Sequence, residues 1–134
     1  MSHRFSQNFT ARPEHIDQLG HVNNAVWVRW MEELAVAHWR ADAAPQHVEA
    51  YVWVVTRHEI DYRGNVREGE SVTGETEIRE GPRGARFDRY FRFGDANGRE
   101  LVRAKTTWAM VEIDSGRPQR VPTEIAAQFL PPER

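Results

Sequence analysis

One long stretch of this chain, residues 23–41, carries the period of an amphipathic helix, and most of what surrounds it alternates like strands. Trp27, Trp30, Met31, Leu34 and His38 recur at helical spacing and form one apolar stripe, with Arg29, Glu32, Glu33 and Arg40 on the opposite side. Such a helix has a face to bury, and the partners that the sequence offers it are period-two segments.

Residues 3–12 read as a first strand with Phe5, Phe9 and Ala11 on one side. Pro13 ends its regular pairing, because proline has no backbone N–H. Pro45 closes the helical region. Residues 50–62 place Val52, Val54, Ile60 and Tyr62 on one face with His58 among them, and Arg63-Gly64-Asn65 breaks that run. A strand over 70–79 ends at Gly81-Pro82-Arg83-Gly84, and one over 85–94 alternates through Phe87, Phe91 and Phe93. Asp95-Ala96-Asn97-Gly98 suits a hairpin loop, since Asn and Gly tolerate positive φ. Residues 100–113 then put Val102, Ala104, Trp108 and Met110 on one face, and 122–129 suit a short helix before Pro131-Pro132. Strand, long helix and four strands joined by short turns predict an α+β fold, a five-stranded antiparallel sheet wrapped around one central helix. The length of 134 residues suits a single domain spanning 1–134, with no linker-like stretch or internal repeat.

Composition narrows the function classes. A net charge of −2 supplies no basic field for nucleic acid. No apolar run approaches the ~20 residues that span a bilayer, and Met1–Gln7 lacks the apolar core of a secretion signal. The chain has no cysteine, which removes disulfides, thiol nucleophiles and thiolate metal sites and fits a cytoplasmic protein.

The chemistry gathers just ahead of the long helix, where Asp17, Gly20, His21, Asn23 and Asn24 fall within eight residues. A helix N-terminus offers unpaired N–H groups and partial positive charge, the requirements of an oxyanion site. Asp17 is close enough in sequence to act beside it as base or nucleophile. The plain alternative is a turn followed by an asparagine N-cap. His15 and His21 flank Asp17 without the spacing of a metal site. No serine sits in a Gly-x-Ser-x-Gly elbow, which argues against an α/β-hydrolase.

The element Asp17-x-x-Gly20-His21-Val22-Asn23-Asn24, with Trp27 and Glu32-Glu33 beyond it, resembles the hotdog-fold acyl-CoA thioesterases of the 4-hydroxybenzoyl-CoA thioesterase group. Its His-Val-Asn-Asn core is also similar to plant acyl-ACP thioesterases. Ile60-Asp61-Tyr62-Arg63, Gly69-Glu70 and Thr106-Thr107-Trp108 extend the likeness over nearly the whole chain, mostly as marks of the fold.

The resemblance implies hydrolysis of an acyl-CoA to free acid and CoA, without a metal or cofactor. It implies that Asp17 is nucleophile or general base and that the Asn24 backbone N–H faces the thioester carbonyl. It further implies that His21 and Asn23 contact substrate, and that the protein is a homodimer or dimer of dimers with shared sites. Another branch of the family places its carboxylate near Glu32, which here reads as solvated or dimer-facing. The alternatives are a hotdog hydratase/dehydratase, whose Asp-x-Asn-Pro-x-His and His-Phe-Pro elements are absent, and a non-catalytic acyl-CoA-binding protein.

Arg57, Arg63, Arg83 and Arg86 suit either CoA phosphates or solvated strand positions. Inward-facing His58 is expected to be buried and hydrogen-bonded. Trp27, Trp30, Met31, Tyr62, Phe91 and Trp108 either form the core or floor an acyl tunnel that would favour aryl or short-to-medium acyl groups.

Overall fold

The structure is a computed structural model describing residues 3–132; Met1 and Ser2, part of the segment read above for a leader, lie outside it with Glu133 and Arg134. Its elements are β1 (Arg4–Thr10), a 3-10 turn (Pro13–His15), α1 (Asn24–Asp42), α2 (Pro45–Ala50), β2 (Tyr51–Tyr62), β3 (Ser71–Glu77), β4 (Arg86–Gly94), β5 (Glu100–Glu112) and α3 (Thr123–Phe129). The five strands form one antiparallel sheet in the order β1-β3-β4-β5-β2. The α+β architecture therefore matches the expectation, with α1 as the long helix against the sheet.

The predicted stripe of α1 is buried, joined by Val26, Ala35 and Trp39. Its N-terminal half packs with Phe9, Phe91, Phe93 and Val102, and its C-terminal half with Phe87, Met110, Ile125 and Phe129. Each fully covered Leu or Met contributes roughly 1.5–3 kcal/mol by leaving water, and Leu34 and Met31 are both 0% exposed. Gly74 on β3 sets how closely the helix approaches: a Cβ there would lie 2.7 Å from the Phe93 ring and 3.1 Å from Leu34 Cδ2. Any side chain at 74 would push helix and sheet apart.

Two expectations are corrected. Pro45 does not merely close the helical region; it opens α2, where its missing N–H is one that the first turn leaves unpaired anyway. The single face expected for β2 is also wrong. Val55 pairs with Trp108 and Arg57 with Thr107, so Thr56 is an extra residue that reverses the alternation. Past this bulge His58 and Ile60 are half-buried, but before it the partly covered positions are Tyr51, Trp53 and Val55. Val52 and Val54 face outward, each 46% exposed, and Tyr62 is 41% exposed.

Candidate active site

The segment ahead of α1 folds into a closed loop around Asp17. The Asp17 N–H donates to the His21 carbonyl at 2.8 Å and the Gly20 N–H donates back to the Asp17 carbonyl at 3.1 Å. Gly20 holds φ +79°, a conformation costly to any residue with a Cβ. The carboxylate joins this framework through one oxygen only: Oδ1 accepts from the Leu19 N–H at 2.9 Å and the His21 N–H at 3.3 Å. Oδ2 has no hydrogen bond to any described residue, so the half-buried Asp17 is anchored by one oxygen and presents the other.

The loop is fixed to the rest of the protein by Asn65, a residue that the sequence reading treated only as part of a turn. Asn65 Oδ1 accepts from Val22 N–H at 3.1 Å and from its own neighbour Val66 at 2.9 Å, while Nδ2 donates to the Val22 carbonyl at 3.0 Å. Val22, wholly buried, bridges back to Ile16 across the loop. An asparagine in a turn gives no sign in sequence of which distant backbone it will grip.

Asn23 is the N-cap of α1, with Oδ1 accepting from the Ala25 N–H at 2.8 Å. That bond takes one lone pair of Oδ1, and the amide N–H groups of the exposed side chain are left for a substrate. The Val26 N–H turns back to the Asn23 carbonyl at 2.9 Å. The Asn24 N–H is left without a hydrogen bond to any described residue, at the positive end of a 19-residue helix. Tyr62 reaches the same turn, its hydroxyl 3.4 Å from the Asn24 carbonyl. Asp17, Asn23 and Asn24 thus belong to one loop-and-cap unit. The half-buried His21 side chain makes no hydrogen bond to a described residue. His15 is occupied locally, its Nδ1 accepting from Arg12 N–H at 3.0 Å and its ring edge-on to Trp30.

Other candidates fall outside this unit. His58 is half-buried, not fully, and its Nδ1 is enclosed with no hydrogen-bond partner, contrary to the expected bonded histidine. Glu32 is exposed on the outer face of α1 beside Arg29 and Val36. Arg83 is held bidentately by Asp88 at 2.9 and 3.1 Å, Arg57 pairs with Glu59 and Arg63 with Glu100. Arg86 is exposed. Trp27, Trp30, Met31 and Phe91 are at most 4% exposed inside the core, and of the six bulky candidates only Trp108 borders the apolar cavity described next.

That cavity, of about 240 Å³, lies under the C-terminal half of α1, between Trp39, Trp53, Phe87, Trp108 and Phe129. Along the helix it is roughly 20 Å from Asn24, at 1.5 Å per residue. Arg89 also lines it, although only 8% exposed. Arg89 Nη1 donates to His38 Nδ1 at 2.8 Å and to Thr76 Oγ1 at 3.1 Å, and His38 Nε2 lies 3.2 Å from Asp42 Oδ2. A guanidinium only donates, so Nδ1 must accept and the imidazole proton sits on Nε2, facing Asp42. Burial pushes the Arg89 pKa down to about 9, which still leaves it protonated at neutral pH. The sequence reading passed over Arg89, though its inward position between Phe87 and Phe91 was a signal. Among the described residues no group of three His, Cys, Asp or Glu is placed to hold a metal ion, and no helix is long and apolar enough to cross a membrane.

The profile of the thioesterase-like superfamily matches residues 11–129, and the chain belongs to that family. Solved structures similar to it share the hotdog fold. A 1,4-dihydroxy-2-naphthoyl-CoA thioesterase from Synechocystis is 14% identical, with a TM-score of 0.79 over 94% of this chain and 95% of that one. A Thermus thermophilus thioesterase, solved with coenzyme A and zinc, is 24% identical, with a TM-score of 0.79 over 92% and 95%. An acyl-ACP thioesterase from Bacteroides thetaiotaomicron is 21% identical, with a TM-score of 0.81, but this chain covers 97% of itself and only 54% of that protein. No curated protein sequence matches the chain.

Proposed function

We propose that this protein hydrolyses acyl-CoA thioesters to the free acid and CoA, with Asp17 as general base or nucleophile and the Asn24 N–H as oxyanion donor. One observation carries the reading: a carboxylate fixed through one oxygen, with its other oxygen unpartnered, is built into the same loop as a free helix N-terminal N–H. A thioester already has a good leaving group, so little more is required. As general base, Asp17 Oδ2 takes a proton from water as the water oxygen bonds the acyl carbon. The carbonyl oxygen gains negative charge facing Asn24, and the C–S bond breaks as CoA thiolate leaves. As nucleophile, Oδ2 bonds the acyl carbon directly, expelling the thiolate, and water then opens the mixed anhydride. Losing one oxyanion donor typically costs ~3–4 kcal/mol of barrier stabilisation. The unpartnered His21 ring is available to position water or substrate.

The protein acts in this reading as a homodimer or a dimer of dimers. β2 is an edge strand of twelve residues exposing Val52 and Val54, a combination that natural proteins cover. Two copies joined by a two-fold axis through their β2 edges run their α1 helices in opposite directions. The N-terminal turn of one α1, with Asp17, then comes level with the C-terminal half of the other, where the cavity opens beside β2. The acyl group enters that cavity from the partner's catalytic loop. Acyl-CoA substrate is the small-molecule partner, and the cytoplasm, where CoA thioesters are abundant, is the expected location.

The test is thiol release from acetyl-, octanoyl-, palmitoyl-, benzoyl- and phenylacetyl-CoA. Turnover above background with aryl or short-to-medium groups is expected. Folded protein that binds these thioesters yet releases no thiol would instead mark a non-catalytic binding protein.

A further inference from the structure

The cavity under the C-terminal half of α1 contains a charge that an ordinary acyl pocket does not need. Its size suits a compact group, since a cavity of about 150 Å³ already admits benzene, and about 240 Å³ is available here. Its walls are mostly apolar and rich in aromatic rings, with Trp39, Trp53, Phe87, Trp108 and Phe129 around it. Two arginines line it, Arg89 within and the exposed Arg40, and no aspartate or glutamate does. Only one corner of the Arg89 guanidinium is used by the protein: Nη1 is bound to His38 and Thr76. Nε and Nη2 have no hydrogen bond to any described residue. Those two nitrogens form the side-on edge of the fork, the one that meets a carboxylate with two parallel hydrogen bonds. Arg89 is linked to the carboxylate of Asp42 through the imidazole of His38. Burying a guanidinium with three of its five donors unmatched is costly, and a ligand carboxylate held side-on matches two of them.

We infer that this cavity binds a compact, preferably aromatic, group bearing a carboxylate, held side-on by Arg89 Nε and Nη2. Under the reading that the cavity receives the acyl group, the substrate is then a thioester whose acyl part ends in a second carboxylate, such as a carboxyaryl-CoA.

The experiment has a binding arm and a catalytic arm. 4-Methylbenzoate and 4-methylbenzamide, which differ in carboxylate against neutral carboxamide, are titrated into the wild-type protein while tryptophan fluorescence is followed. Trp39, Trp53 and Trp108 in the wall supply the signal. 4-Methylbenzoate is expected to bind at least tenfold more tightly than the amide, and Arg89→Met to abolish or reverse that preference. Arg89→Lys, which keeps charge but loses the fork, retains part of it and serves if the Met variant fails to fold by circular dichroism. In the catalytic arm, kcat/KM for 4-carboxybenzoyl-CoA should exceed that for 4-methylbenzoyl-CoA by at least tenfold. Equal or weaker binding of 4-methylbenzoate than of 4-methylbenzamide by wild-type protein would overturn the inference, as would a preference unchanged in Arg89→Met. Carboxylate-selective binding without hydrolysis of any thioester would uphold the site and overturn the thioesterase reading instead.

Discussion

Asn65 grips the backbone of Val22 from both sides, accepting from its N–H at 3.1 Å and donating to its carbonyl at 3.0 Å. The pair lies forty-three residues apart in sequence and joins the turn after β2 to the loop carrying Asp17. Asn65→Ala is expected to leave the sheet folded and loosen residues 17–23, because the Val22 N–H keeps only its bond to the Val66 carbonyl. Misplacement by about 1 Å can cost on the order of 10²-fold in rate. A fall of that order in kcat/KM, with faster amide exchange confined to the loop, is the expected outcome; unchanged kinetics would remove Asn65 from the positioning scheme.

The buried relay from Arg89 through His38 to Asp42 predicts a different phenotype. His38 is 0% exposed, stacks on Phe5 at 5.3 Å and meets Phe129 edge-on at 5.0 Å. His38→Ala removes this packing and the acceptor that Arg89 Nη1 uses. Unsatisfied buried donors cost ~1–3 kcal/mol and large-to-small core changes ~2–5 kcal/mol. Urea denaturation should therefore show a loss of at least about 3 kcal/mol. A loss below about 1 kcal/mol would mean that the site collapses or rehydrates freely.

Assembly through β2 is tested at Val54. Glutamate there places charge on the exposed position of an edge strand, a device that blocks strand pairing. Sedimentation should show at least twice the chain mass for wild-type protein at micromolar concentration and a monomer without thioesterase activity for Val54→Glu. An active monomer would contradict the shared site.

Asp88 contributes to the pH dependence, beside Glu77 and Glu100, whose arginine partners also hold their carboxyls below the usual range. The Asp88 side chain is hydrogen-bonded by Arg83, with further bonding from Thr107 and the charges of Arg83 and Lys105, and these hold its pKa below the usual carboxylate range against burial. Between the folded pKa and the unfolded value near 3.8 the unfolded chain binds the extra proton, so stability is complete above that window and is lost as pH falls through it. Asp88→Asn should lower stability at pH 7 and flatten the acid limb of the stability curve. An acid limb as steep as that of wild type would assign acid sensitivity to other groups.

Much of this architecture is legible in the chain because burial imposes a period. The stripe from Trp27 to His38 and the alternation Phe87, Phe91, Phe93 each followed from a single repeating contact with the core. The β2 face was misread because one unpaired residue, Thr56, reverses every side chain before it, and a bulge has no signature in a run of apolar residues. The Asp17–Asn24 unit was legible because its turn and cap are local in sequence. Asn65 and Arg89 were not, since their roles depend on residues brought close by the sheet and helix packing.

The central claim rests on Asp17. Asp17→Asn keeps an oxygen to accept from Leu19 and His21 while removing the charge that, in the proposed mechanism, attacks the acyl carbon or activates water. General-base groups contribute about 10²–10⁴-fold. With whichever acyl-CoA the wild-type protein turns over fastest, kcat for Asp17→Asn should fall by at least about 10²-fold, while thermal unfolding and binding of a non-hydrolysable CoA thioether stay near wild type. A folded Asp17→Asn protein that retains more than about half the wild-type kcat, against the 10²-fold loss expected of a base, would contradict the assignment.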